Sequence, residues 1–269
     1  MNDRECVELL QWALPRLGLR WRGFKNVRRQ VCRRVAARAA ELGLEDLASY
    51  RARLERDPEE ERVLSSLCYV TISRFYRDHR VYDALRDTFL PRLAEAARWR
   101  GARLLRAWSA GCASGEEPYT LAILWQLALA ERFPELLLDV VATDFDAAVL
   151  VRAERGCYEP TSLSELPEAW REEAFEPEGN LSCVREPFRA PVTFRREDVR
   201  TWAPPAPLDL VLCRNVAFTY FDEAAQRDFV SRVVARLVPG GLLVVGAHEA
   251  VPSGIDDLEE VGALIYARR

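Results

Sequence analysis

The 269-residue chain is poor in the residues on which several common kinds of site depend. It has two histidines, His79 and His248, so we expect no histidine-rich metal centre and no bound metal. Its seven cysteines are scattered and form no CxxC pair, which predicts reduced thiols rather than a disulfide framework or a zinc ribbon. No run of 18 uncharged apolar residues occurs, so a membrane span is not expected. The amino-terminal residues carry charges inside their apolar stretch and have no small-residue cleavage motif, so we expect a cytoplasmic protein.

Hydrophobic residues make up 49% of the chain, which is enough for a substantial core. The net charge is −4, but it is unevenly distributed, because residues 1–57 contain 13 basic and 8 acidic side chains. Within this part, residues 24–42 have apolar residues at steps of three and four, which predicts an amphipathic helix with arginines on its other sides. This basic helix 24–42 is either a solvated helix surface or a platform for an acidic partner. Nucleic acid is not favoured, since the sequence pI is near 5.5 and no aromatic residues are interleaved with the cations.

The periodicity of the chain changes near Arg103. Helical patterns dominate residues 1–80, which we assign to an amino-terminal helical domain, and residues 81–269 form a second domain. In the second domain short apolar runs alternate with helical patterns, which predicts a parallel sheet covered on both faces. The predicted strands are Leu104–Ser109, Leu136–Thr143, Leu208–Cys213 and Leu242–Ala247. Residues 159–200 interrupt the alternation and are predicted to form a short β insertion, and a closing hairpin is predicted around Gly262.

The first motif that suggests chemistry runs from Trp108 to Thr120. Small residues follow a predicted strand and precede a helix, so a ligand can approach the backbone closely. The loop lacks the GxGxxG pattern and ends on an acid, Glu116, which disfavours a dinucleotide pyrophosphate and suits a cationic amine. The alternative is a tight strand–helix turn without a ligand.

A second motif, Thr143-Asp144-Phe145-Asp146, lies at the end of the next predicted strand. Asp144 is placed to accept hydrogen bonds from two ribose hydroxyls, whereas Asp146 is better placed to cap the following helix. An ammonium group and a ribose without a phosphate describe S-adenosylmethionine. The two motifs together therefore predict a site for this cofactor.

A third motif places Arg214 and Asn215 at the end of another strand, on the expected ligand face of the sheet. The alternative is a strand-end turn. Tyr220 and Phe221 follow a few residues later, and they are also typical of a core aromatic pair. A fourth segment, residues 71–78, would pass in isolation as a linker between helices.

Taken together, these motifs resemble those of the CheR-type chemotaxis methyltransferases, which transfer a methyl group from S-adenosylmethionine to glutamates of chemoreceptors. Order and spacing agree from about residue 22 to residue 269. The matching segments are Ser73–Arg77, Trp108–Thr120, Thr143–Asp146, Cys213–Asp222 and Gly246–Glu249. The resemblance implies the class I methyltransferase fold, a Rossmann-like doubly wound α/β sheet with a small helical amino-terminal domain and a short β insertion. It also implies a product, S-adenosylhomocysteine, and a partner such as an acidic chemoreceptor helix.

The resemblance assigns site residues position by position. Cofactor contacts are implied at Thr71, Ser73, Arg77, Glu116, Asp144, Asp198, Val199, Asn215 and Val216. Arg77 and Tyr220 are implied as the catalytic neighbourhood. The sequence departs from the family pattern at Thr71 and Ser73, where the family has Asn and Thr, and at Asp198, where it has Asn. One additional residue precedes Tyr220 and shifts it by one position in its loop.

Two alternatives to glutamate methylation stay open on the sequence. The shifted Tyr220 suggests an enzyme of the same scaffold that methylates a small molecule or a non-receptor protein. The basic amino-terminal surface suggests a non-catalytic sensor or adaptor that binds cofactor or a partner helix.

Overall fold

The computed structural model of the chain describes residues 3–44, 46–69, 73–262 and 264–269. Its contacts divide the chain into two compact units. Unit 1 contains residues 1–71 together with 217–227, and unit 2 contains residues 72–216 together with 228–269. The domain boundary expected from the sequence, between residues 80 and 81, does not coincide with this division and stays a prediction.

Unit 1 is helical, and its helices begin at polar capping residues where the sequence supplies them. The Asp46 carboxylate accepts a hydrogen bond from Ser49 N–H at the start of one helix. At the start of the next, the Asp57 carboxylate accepts one from Glu59 N–H, and Pro58 occupies the first helical position, which proline favours. The helices are α1 (Asp3–Arg16), α2 (Trp21–Phe24), α3 (Arg28–Glu41), α4 (Leu47–Leu54), α5 (Pro58–Cys68) and, later in the chain, α12 (Ala217–Tyr220).

The predicted basic helix 24–42 is divided by a turn after Phe24, and its second part is α3. Val31, Val35 and Ala39 are buried on the predicted apolar face. Two of its arginines are used inside unit 1. Arg34 donates a hydrogen bond to the carbonyl of Tyr69 at 2.6 Å, and Arg38 forms an ion pair with buried Glu60 at 2.8 Å.

Unit 2 is built on a sheet in which the described residues form seven strands: β1 (Leu104–Ala110), β2 (Leu137–Asp144), β6 (Val192–Arg196), β7 (Leu208–Cys213), β8 (Leu237–Val245), β9 (Leu258–Gly262) and β10 (Ile265–Arg268). Their order across the sheet is β6-β2-β1-β7-β8-β10-β9. The first five in this order are parallel, and β10 and β9 add an antiparallel pair. Its helices are α6 (His79–Ala84), α7 (Leu90–Trp99), α8 (Glu116–Ala128), α9 (Ala147–Arg155), α10 (Glu168–Ala174) and α11 (Glu186–Arg189). A further helix, α13 (Glu223–Val234), has its first five residues in unit 1 and the others in unit 2.

The strand order confirms the predicted doubly wound sheet. From β1 the chain moves outward through β2 and β6, and it then returns to lay β7 and β8 on the other side of β1. The strand order therefore reverses between β1 and β7, and in such sheets the ligand crevice lies at the carboxyl ends of the strands at this point. Among the described residues no helix has the length and apolar character required to cross a membrane.

Strand bounds agree with the prediction to within a residue or two, with one larger difference. The strand predicted from Leu242 begins at Leu237, because β8 continues through Pro239-Gly240-Gly241, residue types that are unfavourable inside a strand. The predicted closing hairpin is present as β9 and β10.

The structure differs from the predicted β insertion at 159–200 in which strands form the small sheet. A small antiparallel sheet is formed by β3 (Cys157–Tyr158), β5 (Leu181–Val184) and β4 (Phe175–Glu178). The segment Val192–Arg196, which also lies within the predicted insertion, is instead the edge strand β6 of the main sheet, parallel to β2.

The expectation of reduced thiols is wrong for four of the seven cysteines. Cys6 and Cys32 form a disulfide between α1 and α3, and Cys157 and Cys183 form one between β3 and β5. Each pair is separated by 26 residues, a spacing that no CxxC-type pattern reveals.

Candidate active site

Three strand ends of unit 2 bring the predicted site residues to one edge of the sheet. Ala110 at the end of β1 is level with Thr143 in β2, and the end of β7 leads directly into Arg214 and Asn215. Trp108 donates its indole N–H to the Thr143 hydroxyl at 2.9 Å, which ties β1 to β2 just below this edge. The carboxyl ends of β1, β2 and β7 therefore present the three main motifs together, as the parallel arrangement predicts.

The loop after β1 is shaped by glycines at positions that need them. Gly111 and Gly115 have φ values of 79° and 92°, which side chains rarely allow. A Cβ atom on Gly111 would lie 2.5 Å from a methyl group of Val216, so Val216 packs directly on the loop backbone. The N–H groups of Gly111 and Cys112 both donate to the carbonyl of Thr143, at 2.8 and 2.9 Å. These bonds fix the loop against the end of β2.

Glu116 begins α8 and is 3% exposed. Burial raises the pKa of its carboxyl group, although a hydrogen bond from Ser73 and the charge of Arg152 act in the opposite direction. One of its oxygens, Oε2, is buried without a hydrogen-bond partner among the described residues. A buried carboxylate oxygen without a partner is costly unless a ligand satisfies it. The structure therefore fits the predicted ammonium group at Glu116.

Asp144 is the last residue of β2, and its carboxylate both stabilises the neighbouring loops and can still accept hydrogen bonds from a ligand. Its two oxygens accept hydrogen bonds from the N–H groups of Ala113 and Asp146, both at 3.0 Å. Burial raises the pKa of Asp144, and these two backbone hydrogen bonds oppose the rise. A carboxylate has about four lone-pair sites, so these bonds leave acceptor capacity for a ribose hydroxyl. Asp146 caps α9 through Ala148 N–H, as predicted.

The segment around Ser73 and Arg77 lies beside these motifs. Ser73 contacts Glu116 as described, and the N–H of Tyr76 donates to the Thr120 hydroxyl in α8 at 3.1 Å. Arg77 is half-buried. Thr71, the other residue implied here, lies outside the described residues. The structure thus joins Ser73 to Glu116 and fixes the Arg77 segment to α8.

At the end of β7, Asn215 has φ of 60°, and its N–H donates to the Glu249 carboxylate at 2.7 Å. The same Glu249 oxygen accepts from Gly246 N–H at 2.7 Å, so it bridges the ends of β7 and β8. Sequence reasoning did not assign a role to Glu249. The Gly246–Glu249 motif was the available signal, since two of its members meet at this oxygen.

Asp198 and Val199 follow β6, at the same edge of the sheet. The Asp198 carboxylate is held by the Arg200 guanidinium at 2.7 Å, and its side chain is 35% exposed. Val199 is buried, and its carbonyl accepts a hydrogen bond from Arg232 at 3.0 Å. Cofactor contacts at these two residues stay a prediction, in which Asp198 would share its oxygens between Arg200 and the adenine amino group.

Tyr220 belongs to unit 1, where it lies in an aromatic cluster. Its ring centroid is 4.9 Å from that of Phe24 and 5.5 Å from that of Tyr69. Its carbonyl accepts a hydrogen bond from Arg20 N–H at 2.8 Å. Tyr220 therefore packs among core aromatic residues, which is one of the two roles that the sequence left open. Its catalytic role stays a prediction.

Comparisons with known proteins identify the family to which the chain belongs. Residues 71–266 match the family model described as CheR methyltransferase, SAM binding domain. A chemotaxis protein methyltransferase of Klebsiella aerogenes is 34% identical, over 99% of this chain and 90% of that protein. One of Listeria monocytogenes is 35% identical, over 71% of this chain and 70% of that protein. Chemotaxis protein methyltransferase 2 of Pseudomonas aeruginosa is 31% identical, over 88% and 84%. The chain therefore belongs to the CheR methyltransferase family and is an S-adenosylmethionine-dependent methyltransferase.

Proposed function

We propose that this methyltransferase forms methyl esters on glutamate side chains of an acidic protein helix, as in a chemoreceptor on the cytoplasmic side of a membrane. The observation that carries the proposal is the buried Glu116 oxygen without a partner, next to Ser73 and on the same sheet edge as Asp144. This arrangement fits a nucleoside with an ammonium group. The relatives named as chemotaxis methyltransferases support the receptor as acceptor.

S-adenosylmethionine, when bound, supplies an electrophilic methyl group on a sulfonium. Glu116 would hold the amino group, Asp144 the ribose hydroxyls, and Ser73, Asn215 and Val216 the remaining contacts. A glutamate carboxylate is already ionised near neutral pH, so it attacks without a general base. The new O–C bond forms as the C–S bond breaks, and no proton moves. Both histidines are exposed, which is consistent with a reaction that does not use a buried imidazole base.

The protein's task is then to orient the acceptor and to exclude water. Arg77 is the residue we assign to orientation, because a planar guanidinium binds a carboxylate through two parallel hydrogen bonds. For Tyr220 we propose the catalytic role that the resemblance implies, as a hydrogen-bond donor to the acceptor. Tyr220→Phe tests this role, since it removes the hydroxyl but keeps the ring that packs on Phe24 and Tyr69.

The acidic partner is proposed to contact exposed cations of unit 1. Arg22, Lys25, Arg29 and Arg33 are exposed and lie on or beside α2 and α3. Unlike Arg38, they form no ion pair among the described residues. Their charge would attract an acidic helix and raise its rate of association at low salt.

The experiment measures transfer of a radiolabelled methyl group to synthetic acidic helices. Base-labile label on a glutamate peptide, absent when glutamine replaces glutamate, supports the proposal. Reversing the charge of two of these exposed cations by Arg29→Glu and Arg33→Glu should raise KM for the peptide. Arg4 is an exposed arginine on α1, and Arg4→Glu should leave this KM unchanged. Label found only in small metabolites would favour the small-molecule alternative. Cofactor binding without any methyl consumption would favour the adaptor.

A further inference from the structure

The backbone on both sides of Arg77 adopts a conformation that non-glycine residues rarely take. Tyr76 has φ of 59° and Asp78 has φ of 60°, both in the left-handed region. Residues in this conformation persist only where the surrounding structure holds them, and they are concentrated at functional sites. The question is therefore which side chains hold this segment.

Tyr76 is held from the side of α6 and α8. Besides its N–H bond to Thr120, its hydroxyl donates to Asp83 at 2.9 Å. Its ring stacks on Tyr82 with a centroid distance of 5.2 Å and an interplanar angle of 20°. These contacts fix the residue before Arg77 but do not touch the peptide units that follow it.

Arg214 holds the segment from the other side. One terminal nitrogen of its guanidinium donates to the Arg77 carbonyl and to the Asp78 carboxylate, both at 2.7 Å. The other terminal nitrogen donates to the Tyr82 hydroxyl at 3.1 Å and lies 3.5 Å from the Glu117 carboxylate. The Arg214 side chain is 4% exposed. It therefore joins the end of β7 to the Arg77 segment and to the first turn of α8.

A purely stabilising role does not explain this arrangement well. A buried ion pair is weak evidence for stability, because the desolvation of its charges offsets their attraction. Arg214 also leaves its Nε buried without a partner among the described residues. What the guanidinium does supply is geometry, since its rigid planar fork reaches the Arg77 carbonyl and the Tyr82 hydroxyl at once. The ammonium of a lysine has no such fork.

We propose that Arg214 is a positioning residue, which fixes the backbone of Arg77 so that the Arg77 guanidinium meets the acceptor carboxylate in register. The proposal rests on the proposed function, because it assumes that Arg77 orients the acceptor. It does not make Arg214 a catalytic residue, since its described hydrogen bonds are made to other groups of the protein.

The test is Arg214→Lys, which keeps the charge and removes the fork. We expect kcat for the glutamate peptide to fall 10- to 100-fold, while the Kd for S-adenosylhomocysteine stays within about threefold. The matched control is Arg100→Lys. Arg100 also pairs with a buried carboxylate, Asp209, but it lies near the amino ends of the strands, at the opposite edge of the sheet. This control should keep wild-type kcat.

A double-mutant cycle separates positioning from a general structural role. In an Arg77→Ala background the Arg214→Lys change should cause no further loss in kcat, because the group it positions is already absent. Multiplicative losses would overturn the proposal. An unchanged kcat in Arg214→Lys itself would also overturn it.

Amide hydrogen exchange gives a readout that needs no acceptor. In Arg214→Lys the peptide covering residues 73–79 should exchange at least fivefold faster, whereas peptides from the small sheet should not change. Unchanged exchange at 73–79 would count against the positioning role. If the wild-type protein methylates no glutamate peptide, the proposed function fails, and the exchange result still decides whether Arg214 holds the segment.

Discussion

The carboxylate of Glu116 provides the most direct test of how this site holds its cofactor. Replacing it by glutamine keeps the shape and removes the charge. In the free protein the change removes a buried charge with an oxygen that lacks a partner, so it should stabilise the fold. In the complex it removes the counter-charge of the ammonium group, so it should weaken binding. The two effects have opposite signs, which a simple loss of structure cannot produce.

Both magnitudes follow from the burial of the side chain, which is 3% exposed. A hydrogen bond to a charged group contributes about 1.5–3 kcal/mol. Because the glutamine oxygen still accepts one bond, we expect a loss of about 2 kcal/mol, which is a roughly 30-fold increase in Kd. The free protein should gain about 1 kcal/mol in unfolding free energy at pH 7, as expected for relief of one poorly satisfied buried group.

Calorimetry with two ligands isolates the contact. S-adenosylhomocysteine carries the amino group, whereas 5′-methylthioadenosine lacks the amino-acid tail. Glu116→Gln should weaken the first ligand and leave the second unchanged. Glu117→Gln serves as the adjacent control. Glu117 has protein partners, because it accepts a hydrogen bond from the Ser109 hydroxyl at 2.7 Å and faces Arg214, so this variant should leave the affinity for both ligands unchanged.

The pH dependence gives a further check with a defined sign. Since burial raises the pKa of Glu116 above its ordinary value of 4.5, the ionised form destabilises the folded protein. The stability gained in Glu116→Gln should therefore be present above the raised pKa and vanish below pH 4.5. Affinity for S-adenosylhomocysteine should increase as pH rises through the same window in the wild type, and less so in the variant. Equal affinity of both proteins for both ligands would refute the assignment of the ammonium to Glu116.

Three other perturbations follow from the described contacts. Asp144→Asn should weaken binding of both nucleoside ligands by about 1.5–3 kcal/mol in calorimetry, and an effect on only one ligand would contradict the ribose assignment. Gly111→Ala should lower the unfolding free energy by about 1–3 kcal/mol, and an added Val216→Ala should restore part of it if the clash is the cause. Glu60→Gln should cost about 2 kcal/mol at pH 7 in chemical denaturation. Burial opposes ionisation of Glu60, but hydrogen bonds from Arg38 and a buried tyrosine outweigh it and lower its pKa, so this cost should shrink as pH falls below 4.5.

The parts of the fold that sequence predicted well are those with a local signal. Apolar strands bounded by helical patterns located the sheet, and small residues before Glu116 located the loop that follows β1. Asp144 was found because parallel strands end at a common edge, so an acid after the second strand lies next to the loop after the first.

The rest depends on contacts between residues far apart in the chain. Cys157 and Cys183 become partners only because β3 pairs with β5 in a register that no local pattern determines. The Arg214 contacts cross more than 130 residues to the Arg77 segment. The edge strand Val192–Arg196 was assigned to the insertion because its neighbours in sequence are irregular, although its pairing partner is β2. Sequence patterns report on local geometry and burial, and they do not report on which distant groups meet.

Unit 1 is built from two segments that are far apart in the chain, and this has a consequence for its synthesis on the ribosome. Its segment 217–227 is translated about 145 residues after residue 71, and it supplies the carbonyl groups that receive hydrogen bonds from Arg20. At about 5–20 residues per second, the nascent amino-terminal helices wait roughly 7–30 s for these partners. During this interval the face of α2 that later packs on α12 is incomplete. Unit 1 therefore cannot complete its packing until the segment after β7 has left the ribosome, so its first 70 residues expose apolar surface for most of the synthesis of the chain.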